Sequence, residues 1–186
     1  KTGFFEVDSA QFANESMDKF ITCRIDSAFN RDLGEEGYNL SVSSGTIRLN
    51  ACTEKGAFYG KQTLKQLLSS RGIPCVEIKD APRFSYRGLH IDVSRHFFPK
   101  EEIIKLLDEM AYYKLNKFHF HLTDNGGWRI QIDKYPRLTS MGAFRTQCEW
   151  VEWWDKKDRT YLPEGTPNAY GGYYTKAVSY THLTLP

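Results

Sequence analysis

With 186 residues, the chain has room for one medium domain, or for a small domain and part of another. Hydrophobic residues make up 40% and charged residues 26%, an ordinary globular profile with a high aromatic share of 15%. The formal charge of +2 gives no reason to expect nucleic acid or an anionic membrane as partner, and no apolar run approaches the roughly 20 residues that a membrane helix needs.

In chain order, Phe4, Phe5 and Val7, and later Cys23 and Ile25, predict one or two strands. Tyr38, Leu40 and Val42 alternate with polar residues, Ser43-Ser44-Gly45 signals a turn, and Ile47, Leu49 and Ala51 alternate again, which predicts a hairpin. A helix is predicted from about Ala57 to Ser69, with Leu64, Leu67 and Leu68 inward and Gly72 as its stop. Residues 1–80 thus read as a small α+β domain, and Asp80-Ala81-Pro82 as the linker out of it. The start at Lys1 rather than Met says nothing about compartment.

The next stretch reads strand, helix, strand. Leu89, Ile91 and Val93 oppose His90, Asp92 and Ser94; Phe118, Phe120 and Leu122 oppose His119, His121 and Thr123. Such strands fit a barrel wall, apolar toward outer helices and polar toward the interior. Between them Pro99 suits a first turn, Glu101 and Glu102 complement the positive end of the helix dipole, and Ile103, Leu106, Leu107, Met110 and Ala111 form a stripe. Lys114 is assigned to the last turn, where a cation is favoured. Strands of a βαβ unit run parallel, so Arg95 and Asp124, just past the two strands, share one sheet edge, where α/β folds place their chemistry. A long loop from Asn125 to about Tyr174, rich in Trp, Tyr, Gly and Pro, follows. Cys23, Cys52, Cys75 and Cys148 show no CxxC spacing, which argues against zinc or a redox pair; three full disulfide pairings are open, and thiols are the preferred reading.

RGLHIDVSRHFFP followed by KLNKFHFHLTDNGGW resembles the start of the catalytic barrel of glycoside hydrolase family 20, the β-N-acetylhexosaminidases. GAFYGKQTLKQLL and IKDAPRFSYRG, within Gly56–Gly88, resemble the stretch that joins that family's small N-terminal domain to its barrel, and the likeness runs from about Tyr38 to Lys176. It implies an α/β architecture: the small α+β domain at 1–80, then an incomplete TIM (β/α)8 barrel at 81–176, since a whole barrel takes roughly 250 residues. AVSYTHLTLP, residues 177–186, matches nothing in the family and carries no helical stripe, so it is expected to be a non-native tail, such as translated adapter sequence.

The resemblance also implies a function: removal of terminal non-reducing GlcNAc or GalNAc from glycans by substrate-assisted retaining catalysis, without metal or cofactor. In that scheme the substrate's acetamido oxygen attacks the anomeric carbon, an aspartate orients it, and the neighbouring glutamate acts as acid and base. The Asp-Glu pair belongs after the fourth barrel strand, beyond this chain's C-terminus; Asp108-Glu109 reads as a solvated helix face. By motif match, Arg95 donates to the C3 and C4 hydroxyls of the terminal sugar, its rigid fork suiting a vicinal diol, against the alternative of a structural salt bridge. Asp124 matches the family's aspartate at the second strand's exit, accepting from a histidine or Arg95, against a capping role. His121 and His119 are expected behind these two. Asp92 is read as structural, His90 and His96 as packed or hydrogen-bonded, and Arg87 as far from substrate. Trp150, Trp153, Trp154, Tyr170, Tyr173 and Tyr174 are weighed as sugar-stacking rings against plain loop packing, with Trp128 as structural.

Two other readings stand beside this one. His119, His121 and Asp124 could be ligands of a metal-dependent TIM-barrel hydrolase, although that pattern belongs on the opening strand. A catalytically silent carbohydrate-binding protein is the other. An unclosed barrel exposes a strand edge and apolar helix faces, which predicts poor solubility and no turnover of a chromogenic N-acetylglucosaminide by this chain. An extracytoplasmic setting (periplasmic, secreted or lysosomal) and homodimerisation complete the expectations.

Overall fold

Alternating apolar residues build the first half of the chain around one sheet. In chain order the strands are β1 (Phe4–Phe5), β2 (Ile21–Ile25), β3 (Tyr38–Val42) and β4 (Ile47–Ala51); helix α1 (Glu54–Leu67) follows, then β5 (Ile73–Pro74) and β6 (Val76–Asp80). These elements belong to a computed structural model that describes residues 4–5, 21–28, 31–146, 149–155 and 159–178. The expected hairpin is present, with Leu40 opposite Leu49 and Val42 opposite Ile47. The sheet order is β2-β4-β3-β6, with β2 parallel to β4 and the other pairs antiparallel; β1 pairs with β5. Val7 and Cys148 lie outside the described residues, and Cys23, Cys52 and Cys75 are thiols.

One face of this sheet is buried under α1. Leu40, Ile47, Leu49 and Ile73 are fully buried, and Leu64 packs against them, each such side chain adding about 2 kcal/mol of apolar burial. Helix α1 starts three residues before the sequence-based boundary. Thr53 is its N-cap, its hydroxyl accepting the Gly56 N–H at 3.4 Å, and the chain turns extended at Leu68.

The second half holds the βαβ unit: β7 (Gly88–Asp92), α2 (Lys100–Tyr112) and β8 (Lys117–His121). β7 and β8 are parallel, with His90 opposite His119 and Asp92 opposite His121. Their apolar face packs as expected. Ile91, Phe118, Phe120 and Leu122 meet Ile103 and Leu107 of α2 and the buried Val93 and Tyr174, and Val178 joins this cluster. The long loop carries short elements: β9 (Thr123–Asp124), β10 (Gly127–Trp128), α3 (Arg137–Ser140), β11 (Phe144–Arg145), α4 (Trp150–Asp155) and β12 (Tyr170–Gly171). Of the expected tail, residues 179–186 lie outside the described set.

The chain forms two compact units, 1–87 with 111–114, and 88–110 with 115–186. Residues 81–87 and the turn after α2 thus go with the first unit, for reasons visible at two cations. Arg87 pairs with Glu36 at 2.5 Å and donates to the Phe84 and Lys114 carbonyls. Lys114, expected in the last helical turn, lies past the end of α2 with φ 57°. Its N–H bonds to the Ala111 carbonyl and that of Leu115 to Met110, a Schellman closure with lysine where glycine is usual. The left-handed backbone puts its ammonium 2.7 Å from Asp80 and 2.8 Å from the Tyr38 hydroxyl, which also bonds to Thr63.

Candidate functional site

The parallel register decides what meets at the strand exits. Asp92 closes β7 opposite His121, and the Val93 N–H continues the ladder to the His121 carbonyl at 3.2 Å. The turn that follows lifts Arg95 over the sheet edge, while the tight hairpin of β9 and β10 brings Asp124 back toward it. Arg95 Nη2 lies 2.8 Å from Asp124 Oδ2, and Arg95 Nη1 lies 2.8 Å from Asp92 Oδ2. The two residues singled out by motif therefore touch. Asp92, read from sequence as structural, completes a carboxylate–guanidinium–carboxylate cluster.

His121 sits within the same cluster. Its Nε2 is 3.2 Å from Arg95 Nη1 and 3.1 Å from Asp124 Oδ2. A guanidinium only donates and a carboxylate only accepts, so this nitrogen serves one of them at a time. With a proton on Nε2 it donates to Asp124; as a bare lone pair it accepts from Arg95. Asp124 is held below the usual carboxylate range. The Asn125 N–H at 2.6 Å is the largest cause; His121 and Arg95 add to it against the opposing effect of partial burial.

His119 does not join. Its Nδ1 lies 3.0 Å from Nδ1 of His90, so one ring donates and the other accepts. The metal-ligand alternative needed His119, His121 and Asp124 to converge. Among the described residues, no three histidine, cysteine or acidic side chains gather in a way that could hold a metal ion. His96 packs on Phe98 and Tyr170, as expected.

Behind the cluster lie two fully buried arginines that the sequence reading passed over. Arg129 donates to the carbonyls of Val93 (2.9 Å), Ser94 (2.8 Å), Gly126 (3.3 Å), Gly172 (3.1 Å) and Ala143. Burial, with the nearby Arg145 charge, lowers its pKa to about 10. Arg145 donates to the Gly126 carbonyl at 3.0 Å and to Arg95's own carbonyl at 2.7 Å, with its guanidinium 5.1 Å from the Tyr170 ring centre. Together they tie the exits of β7 and β8 to the long loop. The NGGW motif serves this arrangement. Gly126 takes φ 105°, and a Cβ on Gly127 would fall 2.1 Å from the Arg129 guanidinium carbon. Main-chain carbonyls carry no residue identity, so no pattern in the sequence could have announced either arginine's partners.

The aromatic candidates divide. Trp153 and Tyr174 are buried, the Tyr174 hydroxyl donating to the Phe98 carbonyl, while Tyr170 accepts the Phe97 N–H; these rings pack the loop. Trp128 bonds to the Ile130 carbonyl. Trp150 reaches the cluster, its ring centre 5.8 Å from the Arg95 guanidinium carbon, and stacks on Trp154, whose ring centre lies 3.6 Å from the Arg159 guanidinium carbon.

One cation between two anions presents donors and acceptors side by side. Two ion pairs use only part of a guanidinium's five N–H groups, and a carboxylate accepts from several directions. Each hydroxyl of a vicinal diol both donates and accepts, so the cluster matches a neutral polyol.

Comparison with known proteins finds relatives for both halves of the chain. The family model for the catalytic domain of glycosyl hydrolase family 20 matches residues 84–181, which takes in 177–181 of the stretch expected to match nothing in the family, and that for domain 2 of the same family matches residues 6–81. A Beta-hexosaminidase of Vibrio vulnificus is 44% identical over 146 residues, covering 75% of this chain and 16% of its own length. One of Porphyromonas gingivalis is 39% identical over 177 residues, covering 89% and 20%. Among solved structures, the Vibrio harveyi GH20 exo beta-N-acetylglucosaminidase in complex with N-acetylglucosamine matches with TM-score 0.68 at 37% identity, over 85% of this chain and 24% of that one. The Bacteroides fragilis beta-N-acetylhexosaminidase matches with TM-score 0.66 at 32% identity, over 85% and 28%. The chain spans a fifth or less of the two curated relatives' length.

Proposed function

This chain belongs to glycosyl hydrolase family 20, and from that membership we propose that it supplies one wall of the terminal-sugar site of a β-N-acetylhexosaminidase. The whole enzyme to which this wall belongs removes terminal non-reducing GlcNAc or GalNAc from glycans by the substrate-assisted retaining route. The observation that carries this reading is Arg95 held between Asp92 and Asp124 at the shared exit of two parallel strands. Arg95 grips the C3 and C4 hydroxyls, and Asp124, kept ionised, accepts from a sugar hydroxyl or a histidine. The Asp-Glu pair that performs the chemistry is no part of this wall, so the 186-residue chain gives no turnover by itself. An extracytoplasmic setting fits the glycan substrate and belongs to the proposal, as does a homodimer, which sedimentation velocity checks. Among the described residues no helix is long and apolar enough to cross a membrane.

The test is a chimera in which residues 84–176 replace the corresponding segment of the Vibrio harveyi enzyme. Hydrolysis of a chromogenic β-N-acetylglucosaminide is expected to persist, and Arg95→Ala or Asp124→Asn to abolish most of it. A folded chimera whose turnover is indifferent to both substitutions defeats the proposal.

A further inference from the structure

The reaction scheme leaves Asp92 without a task, yet it touches the residue that matters most. We propose that Asp92 is a positioning residue that presets Arg95 for the sugar diol; the inference rests on the family 20 reading above. Its Oδ1 accepts the N–H groups of Ser94 at 2.9 Å and Arg95 at 3.1 Å, while Oδ2 accepts Arg95 Nη1 at 2.8 Å. All of these partners lie within the four residues Asp-Val-Ser-Arg. The seat is therefore written locally at the exit of β7 and does not wait for the rest of a barrel.

Two features separate positioning from mere support of the turn. The backbone of 93–95 is held by bonds that do not involve Asp92: Val93 N–H to His121, the Val93 and Ser94 carbonyls to Arg129, the Arg95 carbonyl to Arg145, and Ser94 Oγ to the Gly127 carbonyl at 2.8 Å. Beyond the two backbone N–H groups on its Oδ1, Asp92 supplies the charged contact to Nη1. Asp92 also differs from Asp124, which comes from the other strand and meets a different nitrogen of the same fork. With three donors already on its carboxylate, Asp92 acts on the sugar through Arg95. A long side chain ordered before binding spares the complex that ordering cost, and it fixes the direction of the donors left for the hydroxyls.

The test has two arms. In the 186-residue chain, nitrogen-15 NMR of the arginine side chains is expected to show hindered, slowly exchanging Arg95 Nη protons. Asp92→Asn, which keeps Oδ1 for the two backbone donors, is expected to release them, and Asp92→Glu to restore part of the protection. In the chimera, Asp92→Asn is expected to lower kcat/KM roughly 10- to 100-fold on the N-acetylglucosaminide. The same change leaves the value for its 3,4-dideoxy analogue within about twofold, because the partner hydroxyls are gone. Equal losses on both substrates, or Arg95 protons unaffected by Asp92→Asn, overturn the role. A folded parent chimera that turns over neither substrate refutes the proposed terminal-sugar role instead, and the NMR arm then decides the seat alone.

Discussion

Arg95 and Arg129 carry the same charge and lead opposite lives. Arg95 lies at the rim with carboxylates on two of its nitrogens, whereas Arg129 is fully buried and donates only to carbonyls. A lysine at position 95 keeps the charge but loses the fork. Arg95→Lys in the chimera is expected to cost roughly 100-fold in kcat/KM, read in steady-state kinetics. Arg129→Met leaves the buried carbonyls of Val93 and Ser94 without that donor, while Gly126 keeps Arg145. Each orphaned group costs about 1–3 kcal/mol, so the chain should lose at least about 2 kcal/mol in urea unfolding followed by tryptophan fluorescence. Arg95 stands out in the sequence because its position after a strand is distinctive; Arg129 was illegible because its partners are backbone.

Helix α1 shows how an element is fixed by its ends and its neighbours. Thr53 caps its first turn, and Thr53→Ala should cost about 1 kcal/mol. Gly56 looks wasteful inside a helix until its surroundings are seen: a Cβ there would lie 2.3 Å from the Gly37 carbonyl oxygen. Backbone cannot yield as a side chain can, so Gly56→Ala is expected to destabilise by more than about 2 kcal/mol despite alanine's better propensity. Thermal unfolding followed by circular dichroism checks both. Periodicity placed this helix well at its centre, through Leu64, and missed its start by three residues. Capping is a side-chain-to-backbone event that the apolar stripe does not record. The same limit moved Lys114 out of α2: a stripe cannot show that the chain has already turned left-handed to reach Asp80.

At the scale of the whole molecule, pH acts on the first unit through that lysine. Burial opposes the charge on Asp80, but the hydrogen bonds from Lys114 and Tyr38 outweigh it, and its pKa falls below 3.8. Lys114 is likewise opposed by burial, yet Asp80 and Tyr38 raise it above 10.5. A lowered carboxyl contributes stability that is complete above its unfolded pKa and lost as pH falls through the folded one. A raised ammonium contributes stability that is complete below its unfolded pKa and lost as pH rises through the folded one. The unfolding midpoint should therefore be flat through neutrality and decline below about pH 3.8 and above about pH 10.5. Asp80→Asn should weaken both declines; unchanged limbs in that variant would assign them elsewhere.

By itself the sequence determined the hairpin, the βαβ unit and the shared strand edge at which Arg95 and Asp124 meet. Alternation, helical periodicity and strand-exit position are properties of neighbouring residues, legible along the chain. Only tertiary structure decided that Asp92 joins Arg95, that His119 turns to His90 instead of to Asp124, and that Arg129 and Arg145 bind the loop from behind. Those outcomes depend on the register of parallel strands and on main-chain carbonyls brought together from distant positions, and neither is encoded in the identity of any single residue.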